Sequence, residues 1–62
     1  MNDEITIRAV VVANQGKKLL VDDGKTRFWV QGDEIRVITH SEQDGLITFA
    51  ISRELAEKKG LV

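Results

Sequence analysis

Apolar and polar residues alternate with a period of two along most of the chain, the pattern of a half-buried β-strand. The alternating runs are rich in Ile, Val, Thr, Phe and Trp. Glycines 16, 24, 32 and 45 interrupt them, each beside Asn, Gln or Asp. That pairing is turn chemistry, because Gly reaches positive φ freely and Asn or Asp bonds its own backbone. The runs predict strands at about residues 4–13, 17–22, 26–31, 34–40 and 45–51. Short strands at this spacing predict a mainly β fold, a small five-stranded SH3-like or OB-like barrel, closed or nearly so. One domain takes up all 62 residues.

The last segment, SRELAEKKGL, leaves the period of two. Ser52 is a good N-cap, Glu54 falls in the first turn, and Lys58 and Lys59 fall in the last. Gly60 suits the left-handed residue just past the end, with Leu61 as the apolar residue after it. A helix over about 52–60 follows, too short to be stable alone and so docked through Leu55, Ala56 and Leu61.

Asp23–Gly24 is a strong hairpin signal, since a type I′ turn needs positive φ at both central residues. A two-residue loop sets Asp22 opposite Lys25, Val21 opposite Thr26, Leu20 opposite Arg27, Leu19 opposite Phe28, and Lys18 opposite Trp29. One face then carries Leu19, Val21, Thr26, Phe28 and Val30 and reads as core. The other carries Lys18, Leu20, Arg27 and Trp29. Around the 41–45 loop, Ile35, Val37, Thr39, Ile47, Phe49 and Ile51 share a core face. Arg36, Ile38, His40, Leu46, Thr48 and Ala50 share the mixed one. The first strand is apolar on both faces, with Ile5, Ile7, Ala9 and Val11 on one side and Val10 and Val12 on the other. Such a strand is central, part of a barrel, or a subunit contact, and Val10 and Val12 are the candidate oligomer contact, as in a homodimer.

Composition narrows the chemistry. Nine basic and ten acidic residues give a net charge of −1, so no whole-molecule field draws the chain to nucleic acid or anionic lipid. Cysteine is absent, which removes disulfides, thiolate nucleophiles and zinc–sulfur sites. A small domain without such staples fits a cytoplasmic setting. The start, MNDEITIR, is acidic and has no apolar signal segment. The longest apolar run, Ala9–Ala13, is too short to cross a bilayer, so no membrane partner is expected.

Catalysis finds no support in the residues. His40, Ser41 and Glu42 are neighbours in sequence, whereas a triad needs side chains that converge in a pocket. Asp22 and Asp23 lack the spaced oxygen ligands of a calcium loop, and the hairpin turn explains both. The glycine–lysine pairs lack the spacing of a phosphate loop. No enzyme, metal or cofactor is expected. The single tryptophan carries the strongest functional signal. With Lys18 and Arg27 beside it, and Leu20 and Arg36 nearby, Trp29 could stack on bases while the cations meet phosphate. The neutral charge balance and the acids Asp22, Asp23 and Asp33 weigh against that use. Alternatively Trp29 is half buried over Leu20 and Val10, or it anchors a protein contact.

Lys17–Lys18–Leu19–Leu20–Val21, then Phe28–Trp29–Val30, then Leu55–Ala56–Glu57–Lys58–Lys59–Gly60–Leu61 together resemble a group of small phage and prophage proteins. In that group a K-x-L-V strand precedes a Trp–aliphatic strand, and the chain ends in an LA-x-K-x-GL helix. This sequence departs from the group after the tryptophan, where Trp29–Val30–Gln31–Gly32–Asp33 replaces a Trp-Ile-Pro-Lys-Ser type continuation. The strand order and terminal helix are also similar to small SH3-like chromatin proteins of archaea, which are strongly basic where this chain is not. The resemblance implies an accessory protein of a mobile element and implies no activity. The expectation is therefore a non-catalytic protein-interaction module acting through the Trp29 face. The alternatives are a single-stranded nucleic-acid binder using Trp29, Arg27, Lys18 and Arg36, and a structural subunit of a homo-oligomer.

Overall fold

The computed structural model describes residues 3–61. In chain order it contains β1 (Glu4–Asn14), β2 (Lys18–Asp22), β3 (Arg27–Gln31), β4 (Ile35–Ser41), β5 (Leu46–Ser52) and α1 (Arg53–Lys58). The strands form one antiparallel sheet in the order β3-β2-β1-β5-β4. β1 serves two neighbours in succession. Glu4–Val10 pairs with β5, and Val10–Asn14 pairs with β2, so Val10 has Leu46 on one side and Asp22 on the other. Two wings result, β1–β2–β3 and β1–β5–β4, hinged on the middle of β1.

Alternation decides which side chains turn inward. Ala9, Val21, Phe28, Val30, Ile47, Phe49 and Ile51 meet in one buried cluster, and α1 adds Ala56 to it. Leu55 and Leu61 pack against the same cluster, so the helix docks through the three residues expected. Its ends are closed as the sequence suggests. The Ser52 hydroxyl accepts from the Leu55 N–H at 3.2 Å, a helix N-cap. Gly60 takes φ 76°, its N–H donates to the Glu57 carbonyl, and the Leu61 N–H donates to the Ala56 carbonyl. These are the two bonds of a Schellman end.

Three expectations need correction. The sheet does not close, so the mainly β fold with a C-terminal helix stands, but a closed SH3-like or OB-like barrel is not what the strands form. Closure would need β3 to pair with β4, and side chains occupy the backbone groups on that edge. Glu34 accepts from the Gln31 N–H at 2.9 Å, and its own N–H donates back to the Gln31 carbonyl. Lys59 Nζ donates to the Trp29 carbonyl at 3.0 Å and lies 3.6 Å from Glu34. The edge is thus tied to the helix end rather than offered to another strand.

The second correction concerns the β2–β3 register. Asp22 stands opposite Arg27, Val21 opposite Phe28, Leu20 opposite Trp29, Leu19 opposite Val30 and Lys18 opposite Gln31. The loop between these strands is Asp23–Thr26, two residues longer than the expected turn. Asp23 makes the longer loop: its Oδ1 accepts from the N–H groups of Lys25 and Thr26, both at 2.9 Å, while Gly24 turns at φ 98°. A slip of two leaves every side chain on its expected face, whereas a slip of one would turn one strand's faces over relative to the other. Phe28 is buried and Trp29 faces out.

The third correction lies in β4. Val37 and Thr39 were expected in the core, but both are exposed, Val37 to 51%. β4 is the sheet edge, and a bulge at Ile38 shifts its register on β5, with Val37 opposite Phe49 but Thr39 opposite Thr48. The extra residue exchanges the two faces, so His40 rather than Thr39 falls in line with Ile47. β5, between β1 and β4, is buried at Ile47, Phe49 and Ile51 on one face and at Ala50 on the other. An Arg36–Glu4 ion pair at 3.2 Å crosses Ala50, joining β4 to β1 over β5.

Candidate functional site

Exposed large apolar side chains fall in two places: Val37 and Ile38 on the β4 edge, and the side of β1–β2–β3 away from the core, which also carries the tryptophan. Even positions of β2 and odd positions of β3 point there. Lys18, Leu20, Asp22, Arg27 and Trp29 therefore share the surface with Val10, as their register requires. Leu20 stands directly across from Trp29, the arrangement in which cross-strand side chains touch most closely. Lys18 Nζ lies 5.1 Å from the centre of the indole, a cation–π contact. Trp29 keeps 37% of its surface exposed, so its ring partly covers the sheet and partly meets solvent.

Two β1 residues extend the surface. Val10 and Val12 are each 43% exposed, and Val12 is the bulged residue between the Val11–Val21 and Ala13–Leu20 pairs. Leu46, at 42%, joins from β5 directly opposite Val10. Local pattern had put Leu46 on the mixed face, but its place beside Val10 depends on a pairing between residues 36 apart in sequence. No local signal reports that. The patch therefore draws on four strands. Arg8, two residues before Val10 on the same face of β1 and opposite Thr48, sits at its end.

The expected site residues divide. Trp29, Lys18, Leu20 and Arg27 come together, and Val10 and Val12 adjoin them. Arg36 does not join them, because it lies on β4 at the opposite edge of the sheet and is engaged by Glu4. Arg27 Nε donates to Asp22 at 3.3 Å, so these two partly neutralise each other on the patch. Asp23, below them in the loop, is held below the usual carboxylate pKa by the backbone N–H groups of Thr26 and then Lys25. His40 lies on β4 opposite Ile47, on the other side of the sheet from this face, while Ser41 stands opposite Leu46 at the margin of the patch. A shallow depression of about 340 Å³ is lined by Gly16, Lys17, Gln31, Gly32 and Asp33 at the turns between β1 and β2 and between β3 and β4. Its two charged side chains are exposed and opposite in sign.

No helix among the described residues is long and apolar enough to cross a membrane. Comparison of the chain with protein-family models, with curated proteins and with solved structures gives no match.

Proposed function

We propose that this protein is a non-catalytic interaction module that binds a protein partner through the outer face of β1–β2–β3, with Trp29 as its anchor. The observation that carries the reading is the mixture of side chains on that face. One tryptophan lies among four aliphatic residues, Leu20, Val10, Val12 and Leu46, on a domain of only 62 residues. Contiguous exposed apolar surface rimmed by polar groups marks contact sites, and a tryptophan within it is the usual energetic anchor; Trp29 stands at the β3 side of this patch. The cysteine-free composition supports action in the cytoplasm. The sequence resemblance to small phage and prophage proteins supports the role of an accessory factor.

Single-stranded nucleic acid is the second reading, favoured by Lys18 over the Trp29 ring. Stacking platforms work with aromatic rings along a basic groove; here Trp29 is a single ring standing opposite Leu20, and Asp22 on the same face pairs with Arg27.

A random peptide library displayed on phage, selected on the intact protein, tests the leading reading. Enriched peptides should bind the parent and lose at least tenfold in affinity to Trp29→Ala, with the variant's far-UV circular dichroism unchanged. Peptides that bind both proteins equally would remove this face from the function.

A further inference from the structure

We infer that the partner segment accepted by the Trp29 face carries an apolar middle flanked by carboxylates, and that Arg8 and Lys18 are the cations that receive them. This deepens the reading above and rests on it. Arg27, Arg36, Arg53, Lys58 and Lys59 each lie within ion-pair distance of a carboxylate. Among the described residues Arg8, Lys17, Lys18 and Lys25 have no such partner, and all four are exposed. Lys17 and Lys25 lie in turns, whereas Arg8 and Lys18 lie on the strands of this face, Lys18 over the Trp29 ring.

Their placement follows from register. Arg8 precedes Val10 by two residues, and Val10 is level with Asp22. Lys18 lies four residues along β2 in the same direction as β1 runs on from Val10. Six residues of strand separate the two levels, about 20 Å at the rise of an extended chain. Between them lie Val10, Val12, Leu20 and Trp29, with Leu46 alongside. The face therefore has an apolar centre and a cation at each end. Asp22, the acid nearest the centre, is engaged by Arg27.

Complementary charge at the rim chiefly sets partner choice and association rate, while the apolar centre supplies affinity. A second copy of this chain docked face to face would bring Arg8 and Lys18 again, and its Asp22 carboxylate is already engaged by Arg27. That disfavours the Val10–Val12 face as a self-contact. Nucleic acid would supply negative charge, but it offers its charge along a continuous backbone rather than at the two ends of an apolar stretch.

The test is the composition of the selected peptides and its response to charge reversal. Parent protein should enrich peptides with excess Asp and Glu on either side of apolar residues. The Arg8→Glu and Lys18→Glu variants, both at exposed positions, should keep the parental circular dichroism. Each should weaken the parent-selected peptides about two- to fivefold at low salt, as expected of an exposed ion pair. The double variant, put through its own selection, should shift enrichment to Lys and Arg. Peptides that depend on Trp29 but show no acidic excess, or the same charge preference on the double variant, would overturn this inference and leave the interaction face intact. Peptides indifferent to Trp29, or no enrichment at all, would overturn both. A fifteen-residue oligothymidylate that quenches Trp29 fluorescence and loses this effect with salt would also overturn it, in favour of nucleic acid.

Discussion

The two wings on either side of β1 are built from similar hairpins and end in different states. In β3 alternation is obeyed residue by residue: Phe28 and Val30 are buried, while Arg27, Trp29 and Gln31 are exposed. In β4–β5 one strand is buried almost throughout and the other almost nowhere. The difference comes from what lies beyond each outer strand. The β3 edge is secured by Glu34 and by Lys59 from the helix end. α1 packs on β5 and β1, so the burial on that wing goes to β5. β4 is left as an edge interrupted by a bulge, which is a common protection for an unpaired strand. An apolar residue on the inward side of a strand is therefore buried only where a second layer reaches it.

Phe49 and Val37 make the sharpest break in that comparison, because they stand opposite each other in the β4–β5 pair. Phe49→Ala should cost about 3–5 kcal/mol. That is as much as a core of this size usually supplies, so the variant should be unfolded by circular dichroism without denaturant. Val37→Ala should shift stability by no more than about 0.5 kcal/mol, as at other surface positions. Similar losses for the two in urea titrations would mean that β4 is covered after all.

A smaller effect probes how β3 is secured. Lys59→Met keeps the apolar stem and removes the bonds to the Trp29 carbonyl and Glu34. It should cost about 1 kcal/mol, the worth of a partly exposed charged hydrogen bond, and speed amide exchange along β3. Unchanged exchange in β3 would show that the edge does not depend on the helix end.

The smallest effect is on the hairpin loop. Asp23 has a lowered pKa in the folded chain because backbone N–H groups bond its charged form. A carboxylate depressed in this way contributes stability above its unfolded value, near 3.8, and loses it as pH falls through the folded one. The stability gap between the parent and Asp23→Asn should be constant above about pH 5 and narrow on acidification. A gap independent of pH would remove the carboxylate's charge from the loop's stability.

Much of this architecture is legible in the residues themselves. Gly and Asx turns mark the strand ends, and Ser52, Gly60 and Leu61 mark the helix with its docking face. That Phe28 and Trp29 face opposite ways follows from alternation, and that Trp29 is the outward one follows from the apolar residues sharing the face of Phe28. The loop length at Asp23 was missed because a side chain bonding its own backbone competes with the tighter turn that Asp–Gly suggests. The bulge at Ile38 was missed because Ile35–Ser41 reads as an unbroken alternation whichever way its second half faces. The neighbours of Arg36, Leu46 and Arg8 escape a local reading for one reason. Neighbours across β1 and β5 are set by the order of strands in the sheet, which local periodicity does not encode.

Urea unfolding of Phe28→Ala beside Trp29→Ala tests the central claim most directly, since the two residues are adjacent and the account gives them opposite roles. Phe28→Ala should lose about 3–5 kcal/mol and fail to fold stably. Trp29→Ala should lose about 1–2 kcal/mol, from its pairing with Leu20 and the Lys18 contact, and stay folded. The reverse order would place Trp29 in the core and leave the outer face without its anchor.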